Sequence, residues 1–201
     1  MKISIVDYGA GNLPSVERAL AKLGAETQLA TEAAHISSAR AIVLPGVGHF
    51  SAFVNGLRER DLVAPLRAAF DAGVPILGIC LGLQAMFDTS EEAPGEPGLG
   101  FLSGEIRALP TNVKSPHIGW NQLRLVQKST LLRGLADDAY FYFAHSFAAP
   151  AADAPTVAAC DHGMAFAAVV EQRNLLAVQF HPEKSGEAGA QVLRNFVEAV
   201  Q

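Results

Sequence analysis

The stretch Pro75-Ile76-Leu77-Gly78-Ile79-Cys80-Leu81-Gly82-Leu83-Gln84 decides how the rest of the chain is read. Pro75 to Cys80 is continuously apolar, the pattern of a strand buried on both faces. Leu83-Gln84-Ala85-Met86-Phe87 is a good helix opening. Gly78-Ile79-Cys80-Leu81-Gly82 between them has the strand, sharp turn and helix of a nucleophile elbow, with Cys in place of Ser. A nucleophile there sits in a strained backbone, and its flanks approach neighbouring strands too closely for a Cβ, which is a physical reason for the glycines. The opening of a helix offers positive potential and free N–H groups, which favour a thiolate and can hold an oxyanion. The pentapeptide alone leaves a second reading open, Cys80 as a small buried hydrophobe at a strand end.

Outward from this stretch, strands and helices alternate through the first half. Lys2–Asp7 reads as a buried strand. Asn12–Gly24 reads as a helix, capped by Asn12, with Pro14 in its first turn and Val16, Ala19, Leu20 and Leu23 on one face. Strands follow near Thr27–Ala30 and at Ala41–Leu44, then a helix over roughly Asp61–Ala72. The second half differs. Glu91–Gly100 is a turn-rich loop, followed by strand-like segments at Phe101–Leu109, Trp120–Val126, Tyr140–Phe147 and Thr156–Cys160. Ala165–Gln172 and Leu175–Phe180 flank Arg173-Asn174 as a hairpin, and a helix from about Glu187 to Val200 closes the chain. The pattern predicts one α/β domain over residues 1–201: a mostly parallel central sheet with helices on both faces and antiparallel strands in the second half.

With 201 residues the chain is long enough for one sizeable core. Half of its residues are hydrophobic and 17% are charged, ordinary for a globular protein. No run reaches the roughly 18 apolar residues a membrane span needs. The start, MKISIVDYGAGN, lacks a signal-peptide pattern, so a cytoplasmic location is expected. The formal net charge is −5 and no Lys/Arg cluster stands out, which argues against nucleic acid as a partner. A reducing compartment argues against a disulfide between the two cysteines, Cys80 and Cys160. The six histidines are scattered and Cys160 has no ligand-spaced neighbour, so no metal is called for, nor any cofactor.

A nucleophilic cysteine needs a base. His181 follows an apolar strand and opens His181-Pro182-Glu183. Pro182 forces His181 into an extended conformation. Extended residues two apart point to the same side, so the Glu183 carboxylate can fix the tautomer and orientation of the imidazole. Both Cys80 and His181 fall at the carboxyl ends of strands, where sites of open α/β sheets gather. Leu44-Pro45-Gly46-Val47-Gly48-His49-Phe50 follows the third strand, and its glycines let a backbone N–H, of Val47 or Gly48, turn toward an oxyanion. The Leu81 N–H would be the second donor. His49 reads as structural.

The chain GICLGLQ, PGVG and HPEKS resembles the class I, or triad, glutamine amidotransferases. IVDYGAGN, PGVGHF, PHIGWN, YFYFAHSF and AVQFHPEKS further resemble the family of glutaminase subunits of imidazole glycerol phosphate synthase, from residue 3 to residue 185 and on through the closing helix. The resemblance implies that Cys80 forms a glutamyl thioester, with His181 as base and then acid and Glu183 as its orienter. It implies that Gln84 binds the glutamine substrate, and that the backbone around Ser146 and Phe147 holds the α-amino and α-carboxylate groups. It also implies a heterodimer with a cyclase subunit of (βα)₈-barrel form that takes the ammonia, with Asn12, Trp120, Tyr142 and Lys184 on the face toward it. Two positions depart from the pattern: His162 stands where the family often has Tyr, and Gly186 follows HPEKS where Ser is frequent. A glutaminase serving another synthase, such as the one that makes pyridoxal phosphate, and a stand-alone cysteine hydrolase of similar fold are the alternatives. PHIGWN and GVGHF argue against the first, HPE and the position of Gln84 against the second.

Overall fold

The structure, a computed structural model, describes residues 2–201. Its elements in chain order are β1 (Lys2–Val6), α1 (Leu13–Ala21), β2 (Glu26–Ala30), α2 (Ala33–Ser37), β3 (Ile42–Gly46), α3 (Phe50–Glu59), α4 (Val63–Asp71), β4 (Ile76–Cys80) and α5 (Leu81–Gln84). Then come β5 (Phe87–Ser90), β6 (Leu102–Ala108), β7 (His117–Gln122), β8 (Arg124–Leu125), β9 (Tyr140–His145), β10 (Phe147–Ala148), β11 (Thr156–Asp161), β12 (Ala165–Gln172) and β13 (Leu175–Val178). A 3₁₀ turn at Pro182–Lys184 and the helix α6 (Gly186–Ala199) complete the chain.

One eight-stranded sheet organises the molecule, in the order β2-β1-β3-β4-β13-β12-β11-β8. The strands from β2 to β13 pair in parallel, and β12, β11 and β8 continue the sheet antiparallel. The parallel part has the 2-1-3-4-5 order of doubly wound flavodoxin-like sheets. Successive strand residues face opposite sides, which splits the apolar runs between two cores. Val6, Ile42, Leu44 and Ile76 pack with α3, α4 and α5 on one face. Ile5, Val43, Leu77 and Ile79 pack with α1 and α6 on the other. This two-sided burial is why those strands read as unbroken apolar runs rather than as alternation. Two small sheets, β10-β6-β5 and β7-β9, stand beside the large one.

Several elements differ from the expectation, each for a local reason. The Phe101–Leu109 and Thr156–Cys160 strands and the Arg173-Asn174 hairpin are present, with Arg173 at φ 56° in the turn. Asn12 occupies the N-cap position of α1 but makes no capping bond through its side chain. The helix after Cys80 stops at Gln84 instead of running through Phe87. There the Ala85 carbonyl accepts from Leu99 N–H (2.7 Å) and the Met86 carbonyl from Phe101 and Leu102 N–H (2.8 and 2.9 Å), which ties the chain after Gln84 to the Leu99–Leu102 segment. Trp120–Val126 is split into β7 and β8, and Tyr140–Phe147 into β9 and β10, each pair serving different sheets. No described helix is long and apolar enough to cross a membrane.

Candidate active site

Cys80 ends β4 between its parallel neighbours β3 and β13, with Gly46 opposite it on β3. Its backbone lies at φ 54°, ψ −110°, a conformation that L-residues other than Gly rarely adopt. The strain persists because the surroundings over-determine it. Gly82, two residues on, is packed on β3 so closely that a Cβ would sit 1.8 Å from the Leu44 carbonyl oxygen. The Cys80 sulfur has a buried donor beside it: Gln179 Nε2 lies 3.6 Å from Sγ. Gln179 is fully buried at the end of an apolar strand, and sequence reasoning passed over it. The available signal was a lone amide inside the run Leu175–Phe180.

The parallel pairing of β4 with β13 sets Val178 opposite Ile79. The chain leaving β13 therefore passes Cys80 on the same edge of the sheet and delivers His181 to it. His181 is extended, at φ −100°, ψ 95°, as a residue before Pro should be. Its N–H donates to the Tyr142 carbonyl (2.9 Å) and its carbonyl accepts from Ser185 Oγ (2.7 Å). Its Nδ1 faces Glu183 Oε1 at 2.9 Å, and its imidazole shares a cavity with the Cys80 thiol. The side chains of this pair are 4% and 2% exposed, whereas the Arg58–Glu96 pair is 39% and 36% exposed. A pair as exposed as the latter contributes about 0–1 kcal/mol; the buried pair is the one that shapes proton chemistry.

Burial by itself would lower the pKa of His181, but the hydrogen bonds and charges of Cys80 and Glu183 push it up to about 10. The imidazole thus keeps its proton through the neutral range, ready to donate to a leaving group. Because the folded value lies above the ordinary 6.5, the pair's contribution to stability is complete below about pH 6.5 and is lost as pH rises through about 10. For turnover, the alkaline limb of the pH–kcat profile is expected near pH 10. A limb centred near 6.5 would contradict this.

Cys80 and His181 open onto a cavity of about 190 Å³ that Val47, Gly48, Leu81, Gln84, Ser146, Phe147 and Lys184 also line. Gln84 is buried, and its Nε2 donates to the Phe147 carbonyl (2.7 Å) and to Gln179 Oε1 (3.0 Å). Its donors being committed, Oε1 is what Gln84 can offer a ligand. The Ser146 carbonyl accepts from Leu109 N–H (2.9 Å), so neither carbonyl at Ser146 or Phe147 is without a partner. The expected oxyanion donors Val47, Gly48 (φ 99°) and Leu81 all line the cavity. The Val47 N–H donates to the Tyr8 hydroxyl (3.0 Å). His49 has a structural role: it is the N-cap of α3, with Nδ1 accepting from Ser51 N–H (3.3 Å).

Two cavity residues went unread in the sequence. Glu92, assigned to a surface loop, turns its Oε2 to the Phe50 N–H (2.8 Å) and lines the cavity. His145 donates Nδ1–H to the Phe147 carbonyl (3.0 Å); its Nε2 accepts from His117 Nδ1 (3.1 Å), whose Nε2 faces the Asn121 amide (3.4 Å). The carbonyl can only accept, so the whole chain of donors has one direction. Burial, with the neighbouring histidines, pushes His145 down to about 3 and His117 to about 4, so both stay neutral. Among the described residues no group of His, Cys, Asp and Glu is arranged to hold a metal. Cys160 is buried away from this site, with its thiol pushed up to about 12 by burial.

Comparison with known proteins matches this arrangement to a family. The model for "Glutamine amidotransferase class-I" matches residues 4–200. The chain belongs to the class I glutamine amidotransferases. It is similar to the imidazole glycerol phosphate synthase subunit HisH of Moorella thermoacetica, 44% identical over 99% of this chain and 95% of that one. It is also similar to the HisH subunit of Methanothermobacter thermautotrophicus, 46% identical over 99% of both chains. Among solved structures, PurLQS of Thermotoga maritima superposes with a TM-score of 0.76 at 19% identity, covering 100% of this chain and 99% of that one. A structure described as a glutamine amidotransferase gives 0.71 at 20% identity, covering 98% of each. These two share the fold.

In this glutamine amidotransferase three of the four residues expected to face a partner, Trp120, Tyr142 and Lys184, lie next to one another. Trp120 stands opposite Tyr142 in the β7–β9 register, their rings in edge contact at 6.0 Å. Lys184 Nζ lies 5.8 Å from the Tyr142 ring centroid and also lines the cavity. Trp120 is 55% and Ile118 62% exposed, on the face of β7 turned from the core. Asn12 is partly buried at the start of α1.

Proposed function

We propose that this chain is the glutaminase subunit of an imidazole glycerol phosphate synthase. The reading is carried by one observation: Cys80, His181 and Glu183 meet at the carboxyl ends of two adjacent parallel strands, beside a cavity of about 190 Å³. Cys80 Sγ attacks the side-chain carboxamide carbon of glutamine, and the electron pair moves onto the oxygen. The Leu81 N–H and an N–H of the Val47–Gly48 loop stabilise that oxyanion, each donor contributing roughly 3 kcal/mol. The tetrahedral intermediate collapses, the C–N bond breaks, and His181 gives its proton to the departing ammonia. Water then attacks the thioester while His181 takes a proton from it; the second tetrahedral intermediate expels Cys80 as the thiolate and glutamate leaves, which restores the thiolate–imidazolium pair. Glu183 holds the imidazole in place and favours its charged form. Gln84 Oε1 accepts from the substrate carboxamide, and the Glu92 carboxylate faces the substrate α-amino group.

The ammonia goes to a partner. The exposed face of Ile118, Trp120 and Tyr140, next to Tyr142 and Lys184, fits a docking surface with an aromatic anchor, and Asn12 completes it at the start of α1. The similar HisH proteins are named as subunits of imidazole glycerol phosphate synthase, and the partner we propose, from the resemblance of the motifs to that family, is a cyclase of (βα)₈-barrel form that takes the ammonia. Co-purification with a candidate cyclase tests this, followed by glutaminase assays with and without it. The expected result is a stable one-to-one complex with higher glutaminase activity than the single chain. Failure to associate, with full activity in the single chain, would overturn the partner assignment and leave a stand-alone hydrolase.

A further inference from the structure

Gln179 follows β13 as a fully buried amide, and each polar atom of a buried amide needs a partner inside the protein. Its backbone N–H donates to the Ala168 carbonyl (2.9 Å), which fixes the residue to β12. Ala177, two residues earlier, packs with Leu81 and Leu83 of α5. Strand residues two apart share a face, so the Gln179 side chain points toward α5, where it meets Gln84. The direction of each bond there follows from one fixed point. The Phe147 carbonyl can only accept, so the Gln84 atom 2.7 Å from it is Nε2. Gln84 Nε2 also lies 3.0 Å from Gln179, so the Gln179 atom that faces it is Oε1. Gln179 Nε2 is then the atom 3.6 Å from Cys80 Sγ, and the sulfur is the acceptor. His145 donates to the same Phe147 carbonyl (3.0 Å) and keeps the starting point in place.

We propose that Gln179 is a positioning residue for Cys80: its amide donates to the sulfur, fixes where the nucleophile sits, and leaves the thiol proton for His181. This rests on the glutaminase reading above. Gln179 is not among the residues that line the cavity, so it acts through Cys80 and Gln84. A sulfur that accepts from Gln179 does not spend its own proton on that amide, and His181 is the base that shares the cavity with it. When glutamine fills the cavity, the Gln179 N–H remains as a donor to the charged sulfur, and a buried charge without a donor is costly. The backbone of Cys80, at φ 54°, fixes its Cα but leaves rotation about the Cα–Cβ bond. The bond from Gln179 supplies that restraint. Through Gln84 the same amide also steadies the group that reads the substrate carboxamide.

Gln179→Met keeps the length of the side chain and removes both donor and acceptor. The glutaminase kcat of the full chain is expected to fall on the order of tenfold to a hundredfold with KM within about threefold, the scale of losing a hydrogen bond to a charged group. Gln179→Glu keeps an acceptor for Gln84 but sets a carboxylate where the donor was. At alkaline pH, with that carboxyl ionised, kcat should fall further than in Gln179→Met, because like charges then meet at the sulfur. An amide that only fills the core predicts the reverse order, since Glu keeps the bond to Gln84 and Met loses it. Equal kcat in Gln179→Met and the unaltered chain, or that reverse order, overturns the proposal. Nuclear magnetic resonance of the unaltered chain decides even if a variant fails to fold: alkylating Cys80 with iodoacetamide should shift the Gln179 side-chain N–H resonance, and an unmoved resonance overturns the proposal too. The same assay separates the two levels. If the unaltered chain, alone and with its candidate cyclase, releases no ammonia from glutamine, the glutaminase reading fails, while the resonance still judges the bond between Gln179 and Cys80.

Discussion

Cys80→Ala is expected to abolish glutamine hydrolysis, by on the order of 10⁵-fold or more in kcat, while the complex with its cyclase continues to use free ammonia. The two halves of this expectation have separate causes. Thioester formation needs an atom that attacks carbon: the Ser185 hydroxyl is committed to the His181 carbonyl and the Tyr142 N–H, and of the groups lining the cavity with His181 it is the Cys80 thiol that bears on its proton. In the proposed complex the ammonia-using step belongs to the partner, which would dock on Trp120 and Tyr142 of this chain and not on the thiol. Steady-state rates with glutamine and with ammonium salts, measured on one preparation of the complex, read both halves. Near-normal glutamine use would remove Cys80 from the role of nucleophile. Loss of ammonia-dependent synthesis as well would mean that the substitution, at a backbone φ of 54°, had disturbed the docking face.

The parts of this molecule that were legible in the sequence are those governed by short-range rules. Pro75 to Gly82 announces a buried strand and a turn too tight for side chains, because apolar continuity and glycine placement are local facts. The sequence pairs His181 with Glu183 by taking both as extended; His181 is extended, but Pro182–Lys184 is a 3₁₀ turn, and Glu183 meets Nδ1 from within that turn. What escaped was decided by distant chain segments. The helix α3 hides behind Asn55-Gly56, a dipeptide that ordinarily signals a turn; Gly56 is there because Tyr8, from the end of β1, needs the space. Just past the early end of α5, Leu99, Phe101 and Leu102 take the carbonyls of Ala85 and Met86. Gln179, Glu92 and Tyr8 acquire their roles only when β4, the Glu91–Gly100 loop and β1 converge on one cavity. No periodicity carries that information.

The geometry that places the thiol makes a second strong demand, on Gly82. Gly82→Ala is expected to destabilise the fold by about 3 kcal/mol or more, a fall in melting temperature of roughly 6–12 °C for a domain of this size. The methyl group would enter at 1.8 Å from the Leu44 carbonyl oxygen and 2.9 Å from its carbon. Both are backbone atoms of β3, fixed by pairing of Leu44 with Gly78 on β4, so no side-chain rotation relieves the clash. Either α5 lifts off the sheet or β3 and β4 separate. The first shifts the Leu81 N–H away from the oxyanion, and the second moves Gly46 from its place opposite Cys80, so stability and glutaminase activity should fall together. Gly24→Ala is the contrast: nothing lies within 4 Å of that Cβ, and only its φ of 78° is at issue, a cost of about 1–2 kcal/mol. Thermal unfolding of the two variants side by side decides. If Gly82→Ala melted no lower than Gly24→Ala and kept its glutaminase rate, the helix after Cys80 would be free to move by the width of a methyl group, and a nucleophile held by close packing would no longer explain the site.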